Sequence, residues 1–198
     1  QLEMSDGSKQ TYLLAIDPWQ YYRYTQNVLD HGHEGDEIVD GKFYDNHMLA
    51  PDGTTTKATF HTRFSAFWHK IYSLFNPGAE LLQSFFWVPV VISMLSVIPA
   101  FFIVYRKTNY LGGFFASMVV AVHPYFLTRT AAGFSDTDAY NVFFPLLITW
   151  LLLEAFMAKN IKSKAILGTL AGFVMAVFPL AWGGWWYIFD FLVGGLLA

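Results

Sequence analysis

Gly133-Phe134-Ser135-Asp136-Thr137-Asp138-Ala139-Tyr140-Asn141 is a short polar stretch with two carboxylates, set between two strongly apolar runs. Phe114 to Leu127 precedes it, Val142 to Met157 follows it, and each run has the character of a membrane-entering segment. Charge at the end of a membrane helix has a solvation cost, so its presence asks for a reason. An Asp-x-Asp pair in a loop can aim both side chains at one hard cation, because Mg²⁺ and Mn²⁺ take carboxylate oxygens. Paired carboxylates also suit general acid and base work. The plain alternative is a solvated loop in which Asp138 or Ser135 caps the helix that follows.

The rest of the chain supports a membrane setting for that loop. Hydrophobic residues make up 55% of the 198 residues, aromatic residues 19% and charged residues only 14%. Soluble domains average about a quarter charged, so the chain falls in the membrane class. Twenty Phe, eleven Tyr and seven Trp suit interfacial belts and packed membrane helices. A net charge of −3 argues against a nucleic-acid partner. With no cysteine, disulfides and thiolate metal sites are excluded. There is no P-loop, nucleotide fingerprint or serine elbow, which disfavours an ATPase or a common hydrolase. The chain opens on polar sequence at Gln1, and the apolar run Phe191 to Ala198 is too short to span. The expectation is an internal piece of a longer multi-pass protein.

Residues 1–79 contain no spanning segment. Asp17-Pro18 predicts a helix start, with Asp17 as N-cap, and Gly32 a stop; Trp19, Tyr22, Gln26 and Leu29 give the helical period. Residues 30–59, rich in Gly-Asp, Asp-Gly and Pro-Asp-Gly signals, are expected to form an irregular loop. Phe60 to Phe75 reads as an amphipathic helix lying at the membrane surface. Residues 80–198 then read as a bundle of about five spans, the last incomplete. These are Leu81 to Tyr105 with Pro89 and Pro99, Leu111 to Leu127, Val142 to Met157, Ile166 to Leu180, and the run from Trp185.

Charge sets the orientation. The connections 106–107 and 159–164 hold five of the twelve Lys and Arg, and no acid, which makes them cytoplasmic by the positive-inside rule. Asp17, Asp136 and Asp138 then share the external or lumenal face. Arg129, the basic residue of the Asp136 loop, suits pairing with the aspartates or with a phosphate, or snorkelling at the interface. The histidines at 31, 33, 47, 61 and 69 lack the spacing of a helical zinc site. His123 is expected to bond a backbone group. Glu154 and Asp190 lie in apolar runs near span ends and rank second as functional acids. Trp182, Trp185 and Trp186 read as an interfacial anchor.

These residues together resemble the catalytic subunit of oligosaccharyltransferase, in its archaeal form. Asp17-Pro18-Trp19-Gln20-Tyr21-Tyr22-Arg23, with Asn27 to Gly32 after it, is similar to that family's Asp-Pro-aromatic-x-Tyr-x-Arg stretch in the first external loop. Gly133 to Asn141 with Phe144-Pro145 resembles its second Asp-x-Asp motif, and Arg129 matches an arginine of the bacterial relatives. The resemblance implies an all-α polytopic membrane protein, the transmembrane part of a GT-C-type glycosyltransferase with a large external first loop. It implies transfer of an oligosaccharide from a lipid-linked dolichyl donor to Asn of Asn-x-Ser/Thr acceptors, in a multi-pass protein of the cell membrane. Asp17 and Asp136 would help hold Mn²⁺ or Mg²⁺ with Asp138 close by; Asp17 would also meet the acceptor amide, and Arg129 would give electrostatic support.

The family's first membrane helix, later spans, a further acidic ligand and the Trp-Trp-Asp acceptor-reading motif are not in this sequence; Tyr187 follows Trp185-Trp186. The 198 residues are therefore expected to be inactive alone. The competing readings are another lipid-donor enzyme, such as a protein O-mannosyltransferase-like protein, and a non-catalytic membrane scaffold or transporter part.

Overall fold

The structure is a computed structural model that describes residues 2–3, 9–10 and 12–197, with side chains from 12 to 195. The chain divides into two compact units, one of residues 1–88 with 132–136, the other of residues 89–131 with 137–198.

The first unit begins with two short antiparallel strands, β1 (Leu2–Glu3) and β2 (Lys9–Gln10). Helix α1 (Asp17–His31) has Pro18 in its first turn, where a missing N–H costs nothing, and ends at Gly32 with φ +82° and its N–H on the Val28 carbonyl. Ile16 occupies the cap position and provides no capping oxygen, so Asp17 is the first helical residue and not the N-cap expected from the sequence. Strands β3 (Glu37–Val39), β4 (Lys42–Asp45) and β5 (Thr54–Thr55) form an antiparallel meander inside the region read as irregular. Asp40 and Gly41 turn the first hairpin with φ +51° and +73°, the two positive values of a type I′ turn.

Helix α2 (Phe60–Phe75) has the predicted bounds, capped by the Thr59 side chain, which accepts from the Thr62 N–H. It buries His61, Thr62, Ser65 and Ala66 on one side and exposes Phe67, Leu74 and Phe75 on the other. The short helix α3 (Leu81–Phe85) packs on α2: Trp68 Nε1 donates to the Ser84 carbonyl at 3.0 Å, and His69 Nδ1 meets Ser84 Oγ at 2.8 Å. Leu13, Phe85 and Val88 are the buried centre of this unit, ringed by Trp19, Tyr21, Tyr22, Phe64 and Trp68.

The second unit is helical. It takes in α4 (Val88–Tyr105) apart from its first residue, α5 (Tyr110–Val122), α6 (Pro124–Thr130), a 3-10 turn (Thr137–Ala139), α7 (Tyr140–Met157), α8 (Ile161–Ala181) and α9 (Trp186–Leu197). The span expected over Leu111 to Leu127 is broken. Pro124 excludes the helical conformation at His123, and α5 and α6 meet at 56°. The His123 side chain recaps α6 by accepting from the Phe126 N–H at 3.4 Å, as expected of a backbone-bonding histidine. Pro99, Pro145 and Pro179 instead stay inside their helices.

Helices α7 and α8 form a hairpin across the buried residues Phe144, Ile148, Ala171 and Phe178, with the Phe144 and Phe178 rings stacked at 5.1 Å. Glu154 is held in a two-bond fork by Arg106, at 2.7 and 2.6 Å, so its place in an apolar helix is answered by a cation. Leu81–Tyr105, Thr137–Met157 and Ile161–Ala181 are long and apolar enough to cross a membrane, and the bent α5–α6 pair makes a fourth if it counts as one span. The 12 residues of α9 fall short of that length.

Candidate functional site

Backbone hydrogen bonds tie the two acid-bearing stretches together. In the first unit the Leu14 N–H donates to the Gly133 carbonyl at 2.9 Å, and the Gly133 N–H donates to the Phe86 carbonyl at 2.8 Å. A third tether comes from α2, where His61 Nε2 bonds the Ser135 carbonyl at 3.1 Å. Asp17 lies three residues beyond Leu14, and Asp136 three beyond Gly133. Three residues reach at most about 10 Å, so both acids stand within that span of one hydrogen bond.

Gly133 is obligatory in this arrangement. Its φ is +93°, and a Cβ there would come within 2.7 Å of the Phe86 ring. Asp17 is exposed and is not used up in capping its helix.

Asp138 and Arg129 meet in the second unit, with Arg129 Nη1 at 3.1 Å from Asp138 Oδ2. The Arg129 guanidinium also lies over the Tyr125 ring at 5.6 Å. The sequence left open whether Arg129 pairs with an acid or snorkels; here it pairs with Asp138. Helix α7 has Ala139 in its cap position and no capping side chain, so Asp138 does not cap it. Arg129 and Asp138 line a cavity of about 250 Å³ with His123, Asn141 and apolar residues such as Val119 and Val142. A charged pair in the wall of a mostly apolar hollow suits an amphiphile with a phosphate head.

A charged cluster that the sequence reading did not single out organises the first unit. Arg23 donates to both oxygens of Asp36 at 2.6 and 2.7 Å, and to Asp45 at 2.6 Å. Asp45 is fully buried, and it also accepts from the Tyr24 hydroxyl and from the His47 and Met48 N–H groups. Burial pushes the Asp36 carboxyl up, but bonds from Asn27, the Asn46 backbone, His47 and Arg23 outweigh it and hold the group well below the usual carboxylate range. Asp45 is lowered for the same reasons, burial opposed by Tyr24, Arg23 and two backbone donors.

Among the described residues, Asp36, Asp45 and His47 are the group whose ligand atoms all lie within 4.8 Å of one another. The Arg23 guanidinium already sits among them and meets their charge, so the cluster is an internal ion network. Asp17, Asp136 and Asp138 do not form such a group. The available signal was Arg23 itself, six residues after Asp17 on α1 and followed by acids in the next loop.

Removing Arg23 strands two carboxylates, one of them fully buried. Arg23→Ala is expected to destabilise the first unit by about 3 kcal/mol, read as a fall in the midpoint of urea unfolding. An unchanged midpoint would show the network to be dispensable. Asp36 has a lower pKa folded than unfolded, so its stabilising contribution is complete above the ordinary value of about 4. It drains away as pH falls from there toward the folded value, and unfolding at pH 3 against pH 6 measures it.

The family model described as oligosaccharyl transferase STT3, N-terminal, matches residues 5–197. The dolichyl-phosphooligosaccharide-protein glycotransferase of Methanococcus voltae is 32% identical over 201 residues, taking in 98% of this chain and 22% of that protein. The protein of the same description from Methanocaldococcus jannaschii is 33% identical over 195 residues, 86% of this chain and 20% of that one. The chain thus spans about a fifth of the length of these curated relatives.

Among solved structures, the Archaeoglobus fulgidus oligosaccharyltransferase in complex with Zn and sulfate aligns with a TM-score of 0.78, at 21% identity, over 94% of this chain and 24% of that one. AglB from Archaeoglobus fulgidus, in complex with an inhibitory peptide and a dolichol-phosphate, aligns at 0.76 and 20% identity, over 94% of this chain and 22% of that one. At such identities the likeness is one of fold.

Proposed function

The chain belongs to the oligosaccharyl transferase STT3 family, and from that membership we propose that it carries the first external loop and leading membrane helices of an oligosaccharyltransferase. It is part of a multi-pass membrane protein. The proposed reaction moves an oligosaccharide from a dolichyl-phosphate-type lipid donor to the side-chain amide of Asn in an Asn-x-Ser/Thr acceptor. The reacting groups lie on the external or lumenal face of the membrane, the side opposite the Arg106-Lys107 and Lys159–Lys164 connections.

The observation that carries this reading is the Leu14–Gly133 hydrogen bond, which ties the segment entering Asp17 to the segment entering Asp136. Two acids drawn from distant parts of the chain are what a divided cation site needs. Asp17 and Asp136 would be the carboxylate ligands that the first unit supplies, and hard oxygen donors fit Mn²⁺ or Mg²⁺. When bound, such an ion supplies Lewis-acid stabilisation of charge on the departing lipid phosphate.

The chain's own residues do the rest. Asp17, exposed at the first turn of α1, accepts a hydrogen bond from the acceptor amide, which loosens the conjugation that makes that nitrogen a poor nucleophile. Arg129, steadied by Asp138 and the Tyr125 ring, faces the apolar cavity and offsets phosphate charge there. The exposed Phe67, Leu74 and Phe75 of α2 rest at the membrane interface, with Phe75 six residues before Leu81 begins its span.

The test is a transfer assay with a lipid-linked oligosaccharide and a peptide bearing Asn-x-Thr. The full-length protein that carries this chain is expected to turn over, to stop on chelation of divalent metal and to recover with Mn²⁺. The 198 residues alone are expected to give no product. Turnover that survives chelation would sink the metal assignment, and turnover by the isolated chain would sink the division of labour.

A further inference from the structure

We propose that His61 is a positioning residue for Asp136, an inference that rests on the reading of Asp136 as a cation ligand. Two backbone tethers on the acidic loop converge on a single residue, Gly133, through its N–H and its carbonyl. The bond from His61 Nε2 to the Ser135 carbonyl adds a second fixed point, immediately before Asp136. Two fixed points set the direction in which the next residue leaves.

The residue type at position 61 carries the argument. His61 is fully buried, edge-on to Tyr21 at 4.9 Å and to Phe85 at 5.7 Å. An aliphatic or aromatic side chain would fill that site without the cost of desolvating an imidazole. A carbonyl only accepts, so Nε2 carries the hydrogen and the ring is the donor. Burial lowers the His61 pKa to about 4, with the Ser135 carbonyl pulling the other way, so the ring stays neutral and its N–H remains on offer at neutral pH.

Ser135 holds no competing attachment through its side chain. Its hydroxyl is buried and has no partner among the described residues, so the carbonyl is the group that α2 grips. The grip comes from the first turn of α2, where the Thr59 cap fixes the backbone that bears His61. His61 acts on Asp136 through the Ser135 carbonyl.

The experiment compares His61→Gln with His61→Met in the full-length protein that carries this chain. The two replacements have nearly the same shape, but only glutamine offers an N–H with the reach of Nε2. Mn²⁺ affinity, read as the loss of free Mn²⁺ signal by electron paramagnetic resonance, is a readout independent of turnover. His61→Met is expected to weaken Mn²⁺ binding about tenfold and to lower kcat more than it raises the acceptor KM. His61→Gln is expected to stay within about threefold of wild type on both. Both variants are expected to unfold within about 3 °C of wild type.

Equal behaviour of the two variants, whether both harmless or both damaging, overturns the inference. So does loss of fold in either, because His61 would then be a core residue first. Asp136→Asn run alongside separates the two levels. If it weakens Mn²⁺ binding while His61→Met does not, the positioning role fails and the reading of Asp136 stands. If Asp136→Asn leaves Mn²⁺ binding untouched, that reading fails itself.

Discussion

Replacing Asp136 with asparagine lowers oligosaccharide transfer by about 100- to 1000-fold, on the proposed role of its carboxylate. A factor of that size is about 3–4 kcal/mol in the barrier. Asparagine keeps the shape of the side chain and one oxygen, so the loss reports charge and not packing. An amide oxygen is a weaker ligand for a hard dication, and the ion's contribution to leaving-group departure falls with its occupancy and position. The signature is a fall in kcat with little change in the acceptor KM, since Asp136 acts on the departing phosphate. Raising Mn²⁺ recovers part of the rate if occupancy is what was lost. Asp30→Asn, at an exposed acid near the end of α1, is the matched control and leaves the rate unchanged. Turnover of Asp136→Asn within threefold of wild type would remove Asp136 from the metal site.

Gly133→Ala is expected to be a strongly damaging single-methyl change at the acidic loop. Two penalties coincide at this residue. Its φ of +93° lies where a side chain is strained, and the added Cβ meets the Phe86 ring at 2.7 and 3.1 Å and the Tyr12 carbonyl at 3.3 Å. The ring can swing aside, but the backbone angle cannot relax while both polar groups of Gly133 stay bonded to Phe86 and Leu14. Strain and overpacking together reach about 2–5 kcal/mol. The cheapest escape is to release the loop, which detaches Asp136 from the segment of Asp17. The expected result is folded protein with transfer reduced at least tenfold and with faster backbone hydrogen exchange at Leu14 and Gly133. Wild-type exchange at those two amides would contradict the account. Gly32→Ala serves as comparison, because its φ is also positive but nothing lies within 4 Å of an added Cβ.

How much of this was legible in the sequence varied with the physical signal. Helices announced themselves where local chemistry and tertiary packing agree. The amphipathic period from Phe60 ends where α2 ends, and Gly32 stops α1 because a left-handed residue there closes the last turn. The small sheet was missed because its strands are two to four residues long and β3 is exposed throughout, so no alternation of apolar and polar residues marks it. One clue was present and was read only as a turn. Asp40-Gly41 flanked by Ile38-Val39 and Phe43-Tyr44 is a two-residue hairpin signature.

The break at His123 was equally visible as Pro124, whereas Pro99, Pro145 and Pro179 look the same in sequence and leave their helices continuous. What distinguishes them is whether neighbours absorb the lost hydrogen bond, and a linear string does not carry that. At the candidate site, the acids and Arg129 stand out in the sequence by type and motif. The Arg129–Asp138 pair, the grip of His61 and the Arg23 network needed three-dimensional proximity, because their partners lie from nine to 74 residues away.

The discontinuous make-up of the first unit bears on the order in which the protein is born. Residues 132–136 complete a body whose other members all precede residue 89. A ribosome adding roughly 5–20 residues per second needs several seconds to deliver them after Val88 has emerged. Until then the Phe86 carbonyl, the Leu14 N–H and the His61 imidazole wait without the loop they hold in the finished fold. The seat for Asp136 is therefore built before its occupant is translated. The gathering of the two acidic segments then becomes a late maturation step, taken after the chain has already been threaded into the bilayer.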